Sequence, residues 1–271
     1  MILANILQAI NMAITPIIAF AISNTTKGVF VTIGLITSGI CLICLFIIVK
    51  NLDWHNIGLR LGLSSGKELV RYGFPRVPGD FAMAGLMSLP AVFTAHIAGI
   101  RKAGYVAFGV SVLNMTGGFF APVGLILLPK ASQLIASGDL NLLKHYVTKL
   151  IKISFLLTVP FLIIFELFAD RIIQIYLGNA FVHDVTGVVR GIMIAGVSHV
   201  IYVSLRSVLD ACYERPVNAI NILVSLLLFL VLSGISVLLN KGYVLVIASF
   251  VIASYVLGGL SLHGIREVFR K

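Results

Sequence analysis

Eight apolar runs of roughly twenty residues each leave this chain a single environment in which to fold. They cover residues 2–23, 29–49, 81–100, 105–128, 150–169, 185–208, 219–239 and 243–262. About 20 mainly apolar residues are what a helix needs to cross the hydrocarbon of a bilayer. Backbone N–H and C=O groups find no water there, so each run must close its hydrogen bonds internally as a helix. With 59% hydrophobic and 11% charged residues and a mean hydropathy of +1.07, the chain also has too little polar surface to coat a soluble globule. The expected fold class is an all-α polytopic membrane protein with eight transmembrane helices.

A net charge of +10 invites comparison with nucleic-acid binders, but the placement of the charge argues for topology. Threading the chain through a membrane puts all 20 Lys and Arg on one side except Lys27, Arg101, Lys102, Arg171, Arg190 and Lys241. By the positive-inside rule the richer side is cytoplasmic, and both termini lie there. Trp54, just past the second run, suits an interfacial anchor. Cys41 and Cys44 form a Cys-x-x-Cys in mid-span. A thiolate is disfavoured in hydrocarbon, so small core side chains explain them better than redox or metal chemistry. No cofactor or metal is expected.

Three punctuated stretches carry a resemblance. Residues 68–81 read ELVRYGFPRVPGDF, a charged run interrupted by Pro and Gly that leads into an apolar helix; Gly178-Asn179-Ala180-Phe181 and, at 210–216, DACYERP follow at later loops. In order and spacing they resemble the polysaccharide-transporter branch of the multidrug/oligosaccharidyl-lipid/polysaccharide exporters, which contains the O-antigen flippases. The resemblance implies two six-helix lobes related by a pseudo-two-fold axis. Residues 1–49 would be the last helix pair of a first lobe whose first four helices are absent here. Residues 50–80 would be a cytoplasmic linker, 81–265 a six-helix second lobe and 266–271 a cytoplasmic tail. The first and last hairpins echo one another, with Asn5-Ile6-Leu7 before Lys27-Gly28 and Asn221-Ile222-Leu223 before Lys241-Gly242, as in transporters built from repeats.

Helical spacing gathers the polar positions of the spans onto stripes. One stripe holds Arg76, Asp80, Met83, Met87, Pro90 and Thr94; a second holds Ser111, Asn114, Gly118 and Pro122; a third holds Gly187, Gly191, Ala195, His199, Tyr202 and Arg206. Ionisable groups inside spans are expensive and are candidates for function. Arg76, Asn114, Arg190 and Arg206 are the substrate-binding candidates, since a guanidinium donates two parallel hydrogen bonds to phosphate. Asp80 and His199 are the ion-coupling candidates. Each has a structural alternative: an i,i+4 ion pair for Arg76 and Asp80, a helix-to-helix hydrogen bond for Asn114 and His199, snorkelling for Arg190, topology for Arg206 and close packing for the Gly187/Gly191 pair. Pro90, Pro122 and Pro160 are expected to kink their helices.

The resemblance implies a non-enzymatic flippase of the bacterial cytoplasmic membrane. It would move an undecaprenyl-diphosphate-linked oligosaccharide between leaflets by alternating access. Its partners would be that lipid-linked oligosaccharide, the lipid bilayer and polysaccharide polymerase machinery, with no nucleic acid. A multidrug exporter of the same superfamily is the nearest alternative, and the scarcity of buried acids speaks against its cationic substrates. A membrane glycan polymerase or ligase needs an extramembrane active site, and the longest outer connection, about 170–184, offers no acid/base pair with a partnered nucleophile. A non-transporting structural subunit is a third reading.

Overall fold

A computed structural model describes residues 15, 18–19, 21–22, 25–51, 66–68, 70–239 and 242–270. Trp54, Lys241 and most of the run 2–23 lie outside the described residues. The chain divides into two compact units, Met1–Lys67 and Glu68–Lys271, with the boundary inside the expected linker.

In the first unit the described helix is α1, Thr26–Asn51. Thr25 caps it by accepting the Gly28 amide at 3.2 Å on its hydroxyl. Phe30, Leu35, Leu42 and Phe46 are all exposed, so its apolar surface requires lipid. Cys41 is exposed on this helix and not packed in a core.

The second unit opens with a 3-10 turn, Phe74–Arg76, that runs into α2, Val77–Ala136. The helix therefore starts four residues before the expected Phe81, because proline is tolerated in a first helical turn, where its missing N–H has no intrahelical partner anyway. Gly99 breaks α2 with φ 83 and ψ 168, a conformation open to a residue without Cβ. The expected third and fourth spans are thus the two halves of α2. Asp139 caps α3, Leu140–Leu177, by accepting the Leu142 amide at 3.1 Å. Gly178, at φ 92, separates it from α4, Asn179–Met193. Then come α5, Gly196–Cys212, α6, Val217–Leu238, and α7, Tyr243–Val268.

Among the described residues five helices are long and apolar enough to cross a membrane, or six with α4 and α5 counted as one bent span. The expected sixth span is that bent pair, turning by 49°. Helices α2 and α3 continue through Pro90, Pro122 and Pro160, while the chain breaks direction at Gly99 and bends by 49° between α4 and α5. Neighbouring helices and local adjustment re-satisfy the carbonyl that a transmembrane proline frees.

One core cluster gathers Leu86, Val110, Leu113, Ile192, Phe229 and Phe250; a second gathers Leu143, Val147, Leu205, Leu209 and Ile265. Small residues set the closest helix approaches. A Cβ on Gly79 would lie 2.5 Å from the Ala219 Cβ, and one on Gly124 would lie 2.8 Å from the Ser204 carbonyl oxygen. Gly258 faces Ser198, whose hydroxyl donates to the Ser254 carbonyl. The packing role expected of Gly187 is corrected, since a Cβ there would meet nothing within 4 Å. On α3, Leu156, Leu167 and Ile175 are 69%, 73% and 85% exposed, which only a hydrocarbon surround makes inexpensive.

Candidate functional site

Two arginines and two aspartates pair crosswise where the start of α2 meets the end of α5. Arg206 Nη2 lies 2.5 Å from Asp80 Oδ1, and Arg76 Nε lies 3.7 Å from Asp210 Oδ1. The expected Arg76–Asp80 pair is therefore corrected. Arg76/Asp80 and Arg206/Asp210 are both i,i+4 neighbours, so each helix presents one cation and one anion on a single face. The two segments run antiparallel, which sets opposite charges against each other across the gap. Pairing between helices uses both charges of each and ties the two elements together.

Arg76 is anchored further. Its Nη1 donates to the Tyr72 carbonyl at 2.6 Å, and its Nη2 donates to the Tyr213 carbonyl at 3.0 Å. Its guanidinium carbon stands 3.5 Å from the centroid of the Tyr72 ring. The Tyr72 hydroxyl in turn donates to the Asp210 carbonyl at 3.1 Å. These bonds knit the 3-10 turn to the end of α5 and fix where α2 begins. Tyr213, in the connection after α5, donates its hydroxyl to the Gly264 carbonyl at 2.9 Å. Burial, then the Glu267 carboxylate and Cys212, push its phenol up from the ordinary range, so the donor stays protonated.

Beside the charges lies a cavity of about 590 Å³. Met83 and Met87 reach it from the first half of α2, Asn114 and Gly118 from the second, and His199 and Arg206 from α5. Lining by both halves shows that the chain folds back at Gly99. Part of each expected stripe thus converges, whereas Arg76, Asp80, Pro90, Thr94, Ser111, Pro122, Gly187, Gly191 and Ala195 are not in the cavity lining. His199 is 4% exposed and packs against Gly117, where a Cβ would lie 2.6 Å from its Nε2. Its ring makes no hydrogen bond among the described residues, which corrects the expected helix-to-helix bond. Tyr202 also lines the cavity and is 1% exposed, its hydroxyl buried beside the Asn218 side chain.

Arg190 belongs to another place. It pairs with Glu166 at 3.1 Å and Asp170 at 3.7 Å beside an apolar hollow of about 410 Å³ between α3 and α4. It neither snorkels free nor shares the cavity of the other candidates. Asp210, Tyr72 and Tyr202 escaped the sequence reading as site residues. The signal for Asp210 was present: its spacing from Arg206 mirrors that of Asp80 from Arg76 in reversed charge order.

Among the described residues no three His, Cys, Asp or Glu side chains are placed to hold a metal ion. The arrangement can hydrogen-bond and ion-pair a polar ligand inside the bundle. No curated protein and no solved structure matches the chain. A family model described as polysaccharide biosynthesis protein matches residues 3–186, more than half of the 271 residues. The apolar helices and that match together identify the chain as a membrane protein belonging to the polysaccharide biosynthesis protein family.

Proposed function

We propose that this protein is a carrier, not an enzyme, that moves an undecaprenyl-diphosphate-linked oligosaccharide of surface-polysaccharide synthesis across the bacterial cytoplasmic membrane. The supporting observation is the cavity, where Asn114, His199, Tyr202 and Arg206 converge beside Met83 and Met87. A diphosphate with sugars cannot cross hydrocarbon without a polar path. A guanidinium beside amide and hydroxyl groups supplies donors for both parts of such a head group. The Arg76 end faces the cytoplasm in this reading, from the distribution of Lys and Arg.

Two variants of matched expression test it in cells that depend on this protein for surface polysaccharide. Arg206→Ala should abolish export and accumulate lipid-linked intermediate on the inner leaflet. Arg190→Ala, outside the cavity, should leave export within about twofold of normal, as surface changes usually do. Normal export by Arg206→Ala at full protein level would refute the assignment of the cavity.

A further inference from the structure

Residues 111, 114, 115, 118 and 119 are all exposed and follow the i, i+3, i+4, i+7, i+8 spacing of one helical stripe on the second half of α2. That stripe has two kinds of side chain. Asn114 and Gly118 line the polar cavity. Ser111, Met115 and Phe119 line a separate groove of about 460 Å³ against α3, whose far wall includes Phe161, Phe165 and Tyr176. Ser111 and Asn114 are about 60° apart around the helix axis, and the whole stripe rises only about 12 Å, at 3.6 residues per turn and 1.5 Å per residue. Cavity and groove therefore meet along one exposed strip at one depth in the bundle.

The groove is poor in polar groups, with the Tyr176 hydroxyl on its far wall. Its Ser111 and Thr116 hydroxyls donate to the Ala107 and Val112 carbonyls of their own helix, at 2.9 and 3.0 Å. What remains is mainly aromatic, aliphatic and thioether surface, and Met is the adaptable gap-filler of such walls. Met115 and Phe119 stand 68% and 67% exposed, so they are free to pack on an added chain.

We infer that this groove seats the polyprenyl chain of the same molecule whose head group occupies the cavity, an inference that rests on the function proposed above. A ligand with a polar head and a single long hydrocarbon chain matches a polar cavity and an apolar groove that share one wall. The strip from Asn114 to Met115 is where the diphosphate joins the chain. Selection of the cargo then includes its lipid, through contacts that a free glycan does not make.

Photo-crosslinking of the purified chain in nanodiscs tests this. One arm uses a polyprenyl phosphate with a diazirine on its first isoprene units; the other uses phosphatidylglycerol with a diazirine in one acyl chain. The polyprenyl probe should label peptides 108–119 and 161–176 about tenfold more than α1, the range in which pockets discriminate single apolar groups. Met115→Trp, which fills the groove at an exposed position, should remove most of that excess, and Met115→Ala should retain it. Equal labelling of α1 and the groove, equal labelling of the groove by the phospholipid, or labelling indifferent to Met115→Trp would each overturn the proposal. Head-group binding is read separately, as protection of Asn114→Cys from alkylation by a two-isoprene diphosphate analogue. Groove labelling without that protection supports the chain seat and counts against the transport reading alone.

Discussion

The crosswise pairing makes a quantitative demand that an i,i+4 pair on α2 would not. Alanine substitutions of Arg76, Asp80, Arg206 and Asp210, singly and in pairs, should give coupling between α2 and α5 and little coupling within α2. The Arg76 and Asp210 side chains are 16% and 27% exposed, whereas those of Arg206 and Asp80 are 42% and 63% exposed. The second pair therefore behaves as a surface salt bridge, with coupling of about 0.2–1 kcal/mol that weakens in high salt. Removing Arg76 should be the costliest single change, about 2–3 kcal/mol, because it strips charge-assisted bonds from the Tyr72 and Tyr213 carbonyls and leaves Asp210 partly buried without its partner. Coupling of Arg76 with Asp210 should reach about 1–2 kcal/mol, and that of Arg76 with Asp80 should stay below about 0.5 kcal/mol, the usual size for helix neighbours. Unfolding of each variant in mixed SDS/maltoside micelles supplies the free energies. A coupling between Arg76 and Asp80 larger than either interhelical coupling would refute the pairing and the account of how α2 is anchored.

Glycine substitutions should separate close approach from mere motif. Gly79→Ala forces a Cβ to 2.5 and 2.6 Å from the Ala219 Cβ and Cα, which cannot swing aside, and should cost about 1–3 kcal/mol. Gly187→Ala meets nothing and should be neutral or stabilising by up to about 1 kcal/mol through helix propensity; the same micelle titration reads both. Topology is checked with Ser137→Cys, after α2, and Asn179→Cys, at the start of α4, in a background lacking the native cysteines. An impermeant thiol reagent added to intact cells should label Asn179→Cys and spare Ser137→Cys, and the reverse result would invert the orientation proposed from the basic residues.

Hydropathy alone made the helices legible, because no other element closes its hydrogen bonds in lipid. Helical spacing also brought Met83, Met87, Asn114, Gly118, His199 and Arg206 to the right faces before any contact was known. What stayed illegible depends on which helix neighbours which. Arg76 and Asp80 looked like partners because they are adjacent on one helix; their true partners lie more than a hundred residues away on α5. Gly187 and Gly191 carried a packing motif, yet the closest approaches fall at Gly79, Gly109, Gly117 and Gly258, each set by a residue of another helix segment opposite it. Gly99 looked like an ordinary residue at the end of a span, and its positive φ is a property of the hairpin it closes.

The cavity charges, taken together, refine what kind of carrier this would be. Two guanidinium groups face two carboxylates, and Arg206 and Asp210 of this set line the cavity, so the cluster is neutral while Asp80 and Asp210 are ionised. A bare pair of arginines would hold a diphosphate hard, since each unscreened contact at about 4 Å is worth about 4 kcal/mol at an effective dielectric of 20. A carrier must also let go, and every 1.4 kcal/mol of extra affinity slows release about tenfold at constant on-rate. Under the proposed function the carboxylates lower affinity by competing for the arginines, and the head group displaces Asp80 from Arg206 on entry. Asp80→Asn should then bind a short-chain diphosphate analogue more tightly, by about five- to tenfold for one relieved competitor of roughly 1 kcal/mol. The same variant should turn over more slowly, because release becomes limiting. Calorimetric affinity in micelles and export rate in proteoliposomes measure the two effects. Weaker binding by Asp80→Asn would mean that Asp80 serves the ligand directly, and the competition argument would fall.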